Sequence, residues 1–155
     1  MTVATPILNA RSHLRSAGLR VTQPRLAVWE ALRAGAHLSA DEVFRRVVEI
    51  VPRTSLQSVY NALSDFAGAE LVRCIEPAGY PRLYELRVRD NHHHLICTGC
   101  GAVTDVDCAE GAAPCLRASG AHGYQIAEAE VTFWGTCPEC AALPATPATH
   151  TDLAQ

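Results

Sequence analysis

Apolar residues recur at helical spacing through the first 66 residues, then give way to short β-like runs. Residues 6–17 carry Ile7 and Leu14, and residues 24–34 carry Leu26, Val28, Trp29 and Leu32, a spacing that predicts two helices. Pro24 suits a first helical turn, where its missing N–H is not needed. Ser39-Ala40-Asp41-Glu42 reads as a capping box, with the serine hydroxyl meeting the N–H three residues on and Glu42 reaching back. Val43, Phe44, Val47 and Val48 then form an apolar stripe, and Pro52 closes that helix. A fourth helix starts at Thr54 or Ser55, with Leu56, Val59, Leu63 and Phe66 on one face and Gln57, Tyr60, Asn61 and Ser64 on the other; Gly68 ends it. Two β-like stretches follow, 71–75 and 82–86, joined by turn residues that include Pro77, Gly79 and Pro81. Helices followed by a two-stranded wing predict a winged helix-turn-helix over residues 1–86.

The pattern changes after a hinge at 87–91. Residues 92–97 and 102–106 read as two strands, 111–121 as a short helical segment, and 124–134 as a longer strand with partial alternation. The predicted class is α+β: the winged helix, then a small α/β unit over 92–141. Val131, Phe133 and Trp134 are more apolar surface than so small a unit buries alone, so it is expected to pair with a second copy. The tail, 142–155, is rich in Ala, Thr and Pro, has no apolar face and is expected to be disordered.

The net charge of -3 conceals two different halves. Twelve of the thirteen arginines lie in residues 1–90 against nine acids, whereas 91–155 hold Arg117 against seven acids. A basic winged helix is expected to bind duplex DNA. Gln57 and Asn61 are the expected base readers, since both amides pair in bidentate fashion with adenine, and Tyr60 meets a phosphate or a thymine methyl. With no Arg or Lys on that helix between Ser55 and Gly68, guanine readout is weak and an A/T-rich operator is expected. Phosphate contacts then fall to arginines elsewhere, Arg20 and Arg25 foremost, with Arg11, Arg15 and Arg53 also available. A solvated charged face is the plainer reading of the same arginines. No apolar run is long enough to span a membrane and no secretory signal is visible, so the expected location is the cytoplasm.

The second half carries metal chemistry. Two Cys-x-x-Cys pairs, Cys97/Cys100 and Cys137/Cys140, supply the four thiolates that a structural zinc prefers, with 36 residues between the pairs. Two local disulfides or a redox pair are the alternatives; residues three apart make a strained disulfide, and a redox motif needs only one pair. His92 and His94 alternate along a strand and so project to one face, while His93 points away. Further donors are Glu85 just upstream, Asp105 on the neighbouring strand and His37 at the entry to the capped helix. Cys74 and Cys108 read as small buried residues, Cys115 as a buried residue, redox partner or extra ligand, and His93 and His122 as surface histidines.

Taken together, Val21-Thr22-Gln23-Pro24-Arg25, His37 before Ser39-Ala40-Asp41, Ser58-Val59-Tyr60-Asn61-Ala62-Leu63, Leu83-Tyr84-Glu85-Leu86, His92-His93-His94-Leu95-Ile96-Cys97, Gly101 and Trp134-Gly135-Thr136-Cys137 resemble the ferric uptake regulator family over residues 10–141. Val106-Asp107-Cys108 and Ala113-Pro114-Cys115-Leu116 are similar to an insert of its actinobacterial, peroxide-responsive branch. The resemblance implies a homodimeric, metal-dependent transcriptional repressor acting on an inverted-repeat operator. It places the zinc on Cys97, Cys100, Cys137 and Cys140, and a regulatory site on His37, Glu85, His92, His94 and Asp105. Those nitrogen and oxygen donors suit iron or manganese, with zinc and nickel as alternatives. A third site of the family uses a histidine where this chain has Ala129 between Glu128 and Glu130, so it is expected to be incomplete here. Controlled genes are expected to serve oxidative stress or metal homeostasis. An enzyme is the rival class, disfavoured by the absence of a His-Glu-x-x-His helix and of a nucleophile elbow. A zinc-stapled protein-interaction module is another, and it leaves the arginine-rich half unexplained.

Overall fold

In a computed structural model the described residues are 6–88, 92–107, 119–126 and 130–142. The chain divides into two compact units, residues 1–90 and 91–155. The segment 111–118, with Cys108, Cys115 and Ala129, residues 89–91 of the expected hinge, and the tail from 143 lie outside the described residues.

The first unit contains α1 (Pro6–Ser16), α2 (Gln23–Ala34), β1 (Leu38–Ser39), α3 (Ala40–Ile50), α4 (Leu56–Gly68), β2 (Arg73–Ile75) and β3 (Leu83–Glu85). It is a winged helix-turn-helix, with β2 and β3 as the wing. Its core gathers the apolar faces of the four helices: Leu14, Leu26, Val28, Trp29, Val43, Val47, Val59, Leu63 and Phe66 are all buried. The Trp29 and Phe66 rings meet edge to face at 6.1 Å, joining α2 to α4. Thr22, Ser39 and Ser55 cap α2, α3 and α4. The Ser39 box is complete, with Glu42 N–H donating to Ser39 Oγ at 3.3 Å and Ser39 N–H donating to Glu42 Oε2 at 2.8 Å. One element has no counterpart in the sequence pattern. β1 is only two residues long, too short for an alternation signal, yet it pairs antiparallel with β3 through Leu38↔Tyr84 and Ser39↔Leu83 and makes the wing sheet three-stranded, β1-β3-β2.

The second unit contains β4 (His92–Cys97), β5 (Val103–Asp107), β6 (Thr132–Gly135) and α5 (Pro138–Ala141), with sheet order β5-β4-β6. β5 runs antiparallel to β4, and β6 runs parallel to it. Of the strand expected over 124–134, residues 132–134 lie in β6, the described residues 124–126, 130 and 131 are not strand, and 127–129 lie outside the described residues. β6 pairs with β4 from His94 to Cys97, and Tyr124 N–H donates to Ala121 O at 2.7 Å, closing a turn through His122 and Gly123 at positive φ. Leu95, Phe133 and Trp134 are exposed, at 39%, 46% and 44%, too much apolar surface on one small sheet to be left in water. Among the described residues no helix is long and apolar enough to cross a membrane.

Candidate metal centres and nucleic-acid interface

β4 delivers Cys97 to a tight turn that Gly101 allows at φ 75, with Gly101 N–H donating back to Cys97 O at 2.9 Å. Thr98 N–H and hydroxyl both donate to Gly135 O, at 2.8 and 3.2 Å, and so fix the end of β6 beside this turn. Cys137 follows as the N-cap of α5, whose single turn presents Cys140. The four Sγ atoms of Cys97, Cys100, Cys137 and Cys140 consequently lie within 4.8 Å of one another. None of the four forms a disulfide, and the Cys100–Cys137 pair is 3.8 Å apart, beyond a disulfide's roughly 2.05 Å. The packing leaves no slack: a Cβ on Gly99 would sit 3.1 Å from Cys140 Sγ.

The electrostatics fit a cation. Backbone N–H groups of Cys137, at 3.2 Å, and of Cys100 and Gly99 point at Cys97 Sγ and bring its pKa down to about 6. Cys140 is pushed up to about 12 by the neighbouring sulfurs of Cys137, Cys100 and Cys97. Cys137 is raised as well: the Cys140 N–H lowers it, but burial and its neighbours Glu139 and Cys97 outweigh that. One thiolate forms readily, and further negative charge in the same small space needs a positive centre to share it. Uptake of a metal cation such as zinc at neutral pH would therefore release the protons of Cys137 and Cys140. As pH falls through about 6, Cys97 holds a proton that must also leave, and the slope of log zinc affinity against pH should steepen by about one. Chelator-competition titrations between pH 5 and 8 measure that slope.

The remaining donors fall in two sets, one on each unit. In the first unit, continuing the β1/β3 register one residue beyond Leu38↔Tyr84 sets His37 opposite Glu85, and His37 Nε2 lies 3.1 Å from Glu85 Oε2 with both side chains buried. In the second, β4 projects His92 and His94 to one face with ring centroids 4.9 Å apart, and the neighbouring β5 places Asp105 across from His94. Asp105 Oδ1 is 3.9 Å from Nε2 of both histidines, too long for a hydrogen bond. Two ligands that each sit about 2.1 Å from one ion are about 3 to 4 Å apart, so both sets have coordination spacing. His92, His94 and Glu85 are nearly inaccessible, and burying such polar groups is costly unless they are paired or coordinated. His93 points to the other side of β4 and is buried, not on the surface as expected; the Phe133 side chain of the neighbouring β6 meets its ring edge-on at 6.2 Å. His122 is exposed, and Cys74 is half-buried in the wing rather than enclosed.

On α4 the apolar stripe faces inward, and Gln57, Tyr60, Asn61 and Ser64 are exposed, Tyr60 at 44%. Gln57 Nε2 donates to Asn61 Oδ1 at 2.9 Å, so the two amides stand side by side. Arg20 is exposed in the α1–α2 loop. Arg25 is engaged within the protein: Nη1 donates to Arg20 O at 2.8 Å and Nη2 pairs with Asp65 of α4. Asp65 carries no local signal in the sequence, because its partner is 40 residues away.

The sequence profile of the Ferric uptake regulator family matches residues 16–134. Transcriptional regulator FurA of Mycobacterium tuberculosis is 50% identical over 127 residues, covering 82% of this chain and 86% of that protein. Among solved structures, the ferric uptake regulator of Pseudomonas aeruginosa with manganese is similar at TM-score 0.64 and 26% identity, covering 83% of this chain and 98% of that one. The Helicobacter pylori regulator Fur shares the fold at TM-score 0.70 and 22% identity, over 94% of this chain and 99% of that one. A profile match through both units, joined to half-identity with a curated regulator over most of both chains, makes this chain a member of the ferric uptake regulator family.

Proposed function

We propose that this protein is a homodimeric repressor whose grip on DNA is set by a divalent ion, iron or manganese, held by His37, Glu85, His92, His94 and Asp105, and that peroxide relieves repression. Members of the family are metal-binding transcriptional regulators, not enzymes. The observation that carries the finer reading is the division of the donors. His37 and Glu85 belong to the winged-helix unit, whereas His92, His94 and Asp105 belong to the second unit. An ion bound by all five supplies one positive centre to donors that belong to different units. The unit that presents Gln57, Tyr60, Asn61 and Arg20 to DNA is thereby restricted relative to the unit that pairs two copies, and the DNA affinity gained equals the difference in ion affinity between the two arrangements.

Cys97, Cys100, Cys137 and Cys140 serve a separate, structural zinc that holds the end of β6 to the end of β4. Leu95, Phe133 and Trp134, exposed on the same sheet, support pairing with a second copy, and two winged helices then meet an inverted repeat, expected to be A/T-rich. Cytoplasmic location follows from a DNA target. For peroxide, the relevant support is the donor set and the similarity to the mycobacterial FurA proteins. Ferrous iron held by these donors would activate peroxide, so that one peroxide oxygen would enter an imidazole C–H bond of His37, His92 or His94 and the other would leave as water, with the iron returned to its ferrous state. The test is mass spectrometry on the ferrous protein after stoichiometric peroxide. One added oxygen on one of these histidines, together with loss of binding to duplex DNA, is expected; an intact ferrous protein with undiminished binding overturns peroxide sensing, and the manganese form should stay unmodified in either case.

A further inference from the structure

Arg25 sits in the first turn of α2, where its own N–H donates to the Thr22 cap at 3.4 Å. Its guanidinium divides between two other parts of the winged helix. Nη1 donates to the backbone carbonyl of Arg20 at 2.8 Å, and Nη2 pairs with Asp65, four residues beyond Asn61 and so on the same side of α4. The Arg20 loop is also pinned at its start, where Gly18 at φ 71 and the Leu19 N–H bond to Leu14 O at 2.8 Å close α1. These groups surround a cleft of about 360 Å³ whose lining includes Arg20, Arg25, Asn61 and Asp65.

Asp65 is the informative residue. A carboxylate on the DNA-facing helix opposes phosphate, so by charge alone it weakens binding. Paired with Arg25, it also withdraws that arginine's charge from the interface. Neither feature helps affinity directly, and both make sense if geometry is what the pair supplies. Resting on the DNA-binding reading above, we propose that Arg25 is a positioning residue and not a phosphate contact: its planar fork ties the Arg20 loop to the Asp65 turn of α4, setting the phosphate-contacting Arg20 in register with the base-reading Asn61. Only arginine serves, since a lysine ammonium cannot reach along two fixed directions from one planar group.

The test uses full-length, manganese-loaded protein and two duplexes: the one wild type selects most strongly from a random pool, and a scrambled duplex of the same composition. Asp65→Asn and Arg25→Lys are each expected to weaken binding to the selected duplex about tenfold, to leave the scrambled duplex within about twofold, and to keep the wild-type salt dependence. Arg20→Ala is expected to lower the salt slope by about one on both duplexes. A general loss of folding would weaken both duplexes together, so a falling ratio of the two is specific to positioning. If Asp65→Asn binds the selected duplex as well as or better than wild type, or Arg25→Lys is indistinguishable from wild type, Arg25 is free to meet phosphate and the clamp is overturned. Wild type that selects no duplex overturns the DNA-binding reading, and the clamp falls with it.

Discussion

Cys97→Ser is expected to unfold the second unit, with loss of its cooperative melting transition, of bound zinc and of dimerisation, while the winged helix keeps its own fold. The magnitude follows from size. Among the described residues the unit has a three-stranded sheet and a single-turn helix, and its exposed Leu95, Phe133 and Trp134 contribute little core until a second copy covers them. A structural zinc contributes on the order of 10 kcal/mol to folding of such small domains, as much as the whole stability of an ordinary one. Cys97 is the worst of the four to lose. It is the buried member, it accepts the Cys137 N–H at 3.2 Å, and that bond sets where the second pair of thiols begins. Serine keeps the size but not the soft, easily ionised ligand. Calorimetry and sedimentation of zinc-loaded protein check the outcome; unchanged melting and dimerisation would mean that the cluster is not what holds the unit together.

The parts of this fold that were legible in the sequence share one property, a local cause. The Ser39 box lies within four residues, the stripe on α4 within three turns, and each thiol pair within one knuckle, so spacing alone carries them. The paired histidines were readable for the same reason, because alternation along β4 puts His92 and His94 on one face whatever the rest of the chain does. What stayed hidden depends on partners distant in the chain. β1 exists because β3 offers it an edge, and β6 takes its place by pairing in parallel with β4, which no local spacing announces. His93 is buried beside Phe133 of the parallel strand β6, and Asp65 matters through an arginine 40 residues earlier. Asn61 and Gln57 look like separate readers in sequence, yet the bond between them makes one amide's orientation depend on the other.

Removing single donors tests the proposed regulatory ion separately from the proposed zinc. His37→Ala, His92→Ala and His94→Ala are each expected to lower metal-dependent affinity for the selected duplex on the order of 100-fold, near the upper range of coupling between sites, while zinc content and the dimer survive. The distinction rests on position. His37 lies in the winged-helix unit, and its loss leaves the second unit's sheet and thiol cluster untouched. His92 and His94 lie on β4 with Cys97, but their rings point at Asp105 rather than at the sulfurs, and alanine preserves the strand pairing that carries Cys97 to its turn. The apoprotein baseline fixes the reading: if the ion acts by restricting one unit relative to the other, each variant should bind the duplex as weakly as metal-free wild type and no more weakly. Fluorescence anisotropy with manganese present or chelated measures both limits. Three variants that respond to manganese like wild type would remove these donors from regulation, whereas variants weaker than the metal-free limit would show damage to the DNA-binding surface itself. The remaining outcome, affinity pinned at the metal-free value in all three, is what a shared ion predicts when a coordination sphere short of one ligand binds the ion too weakly to stay loaded.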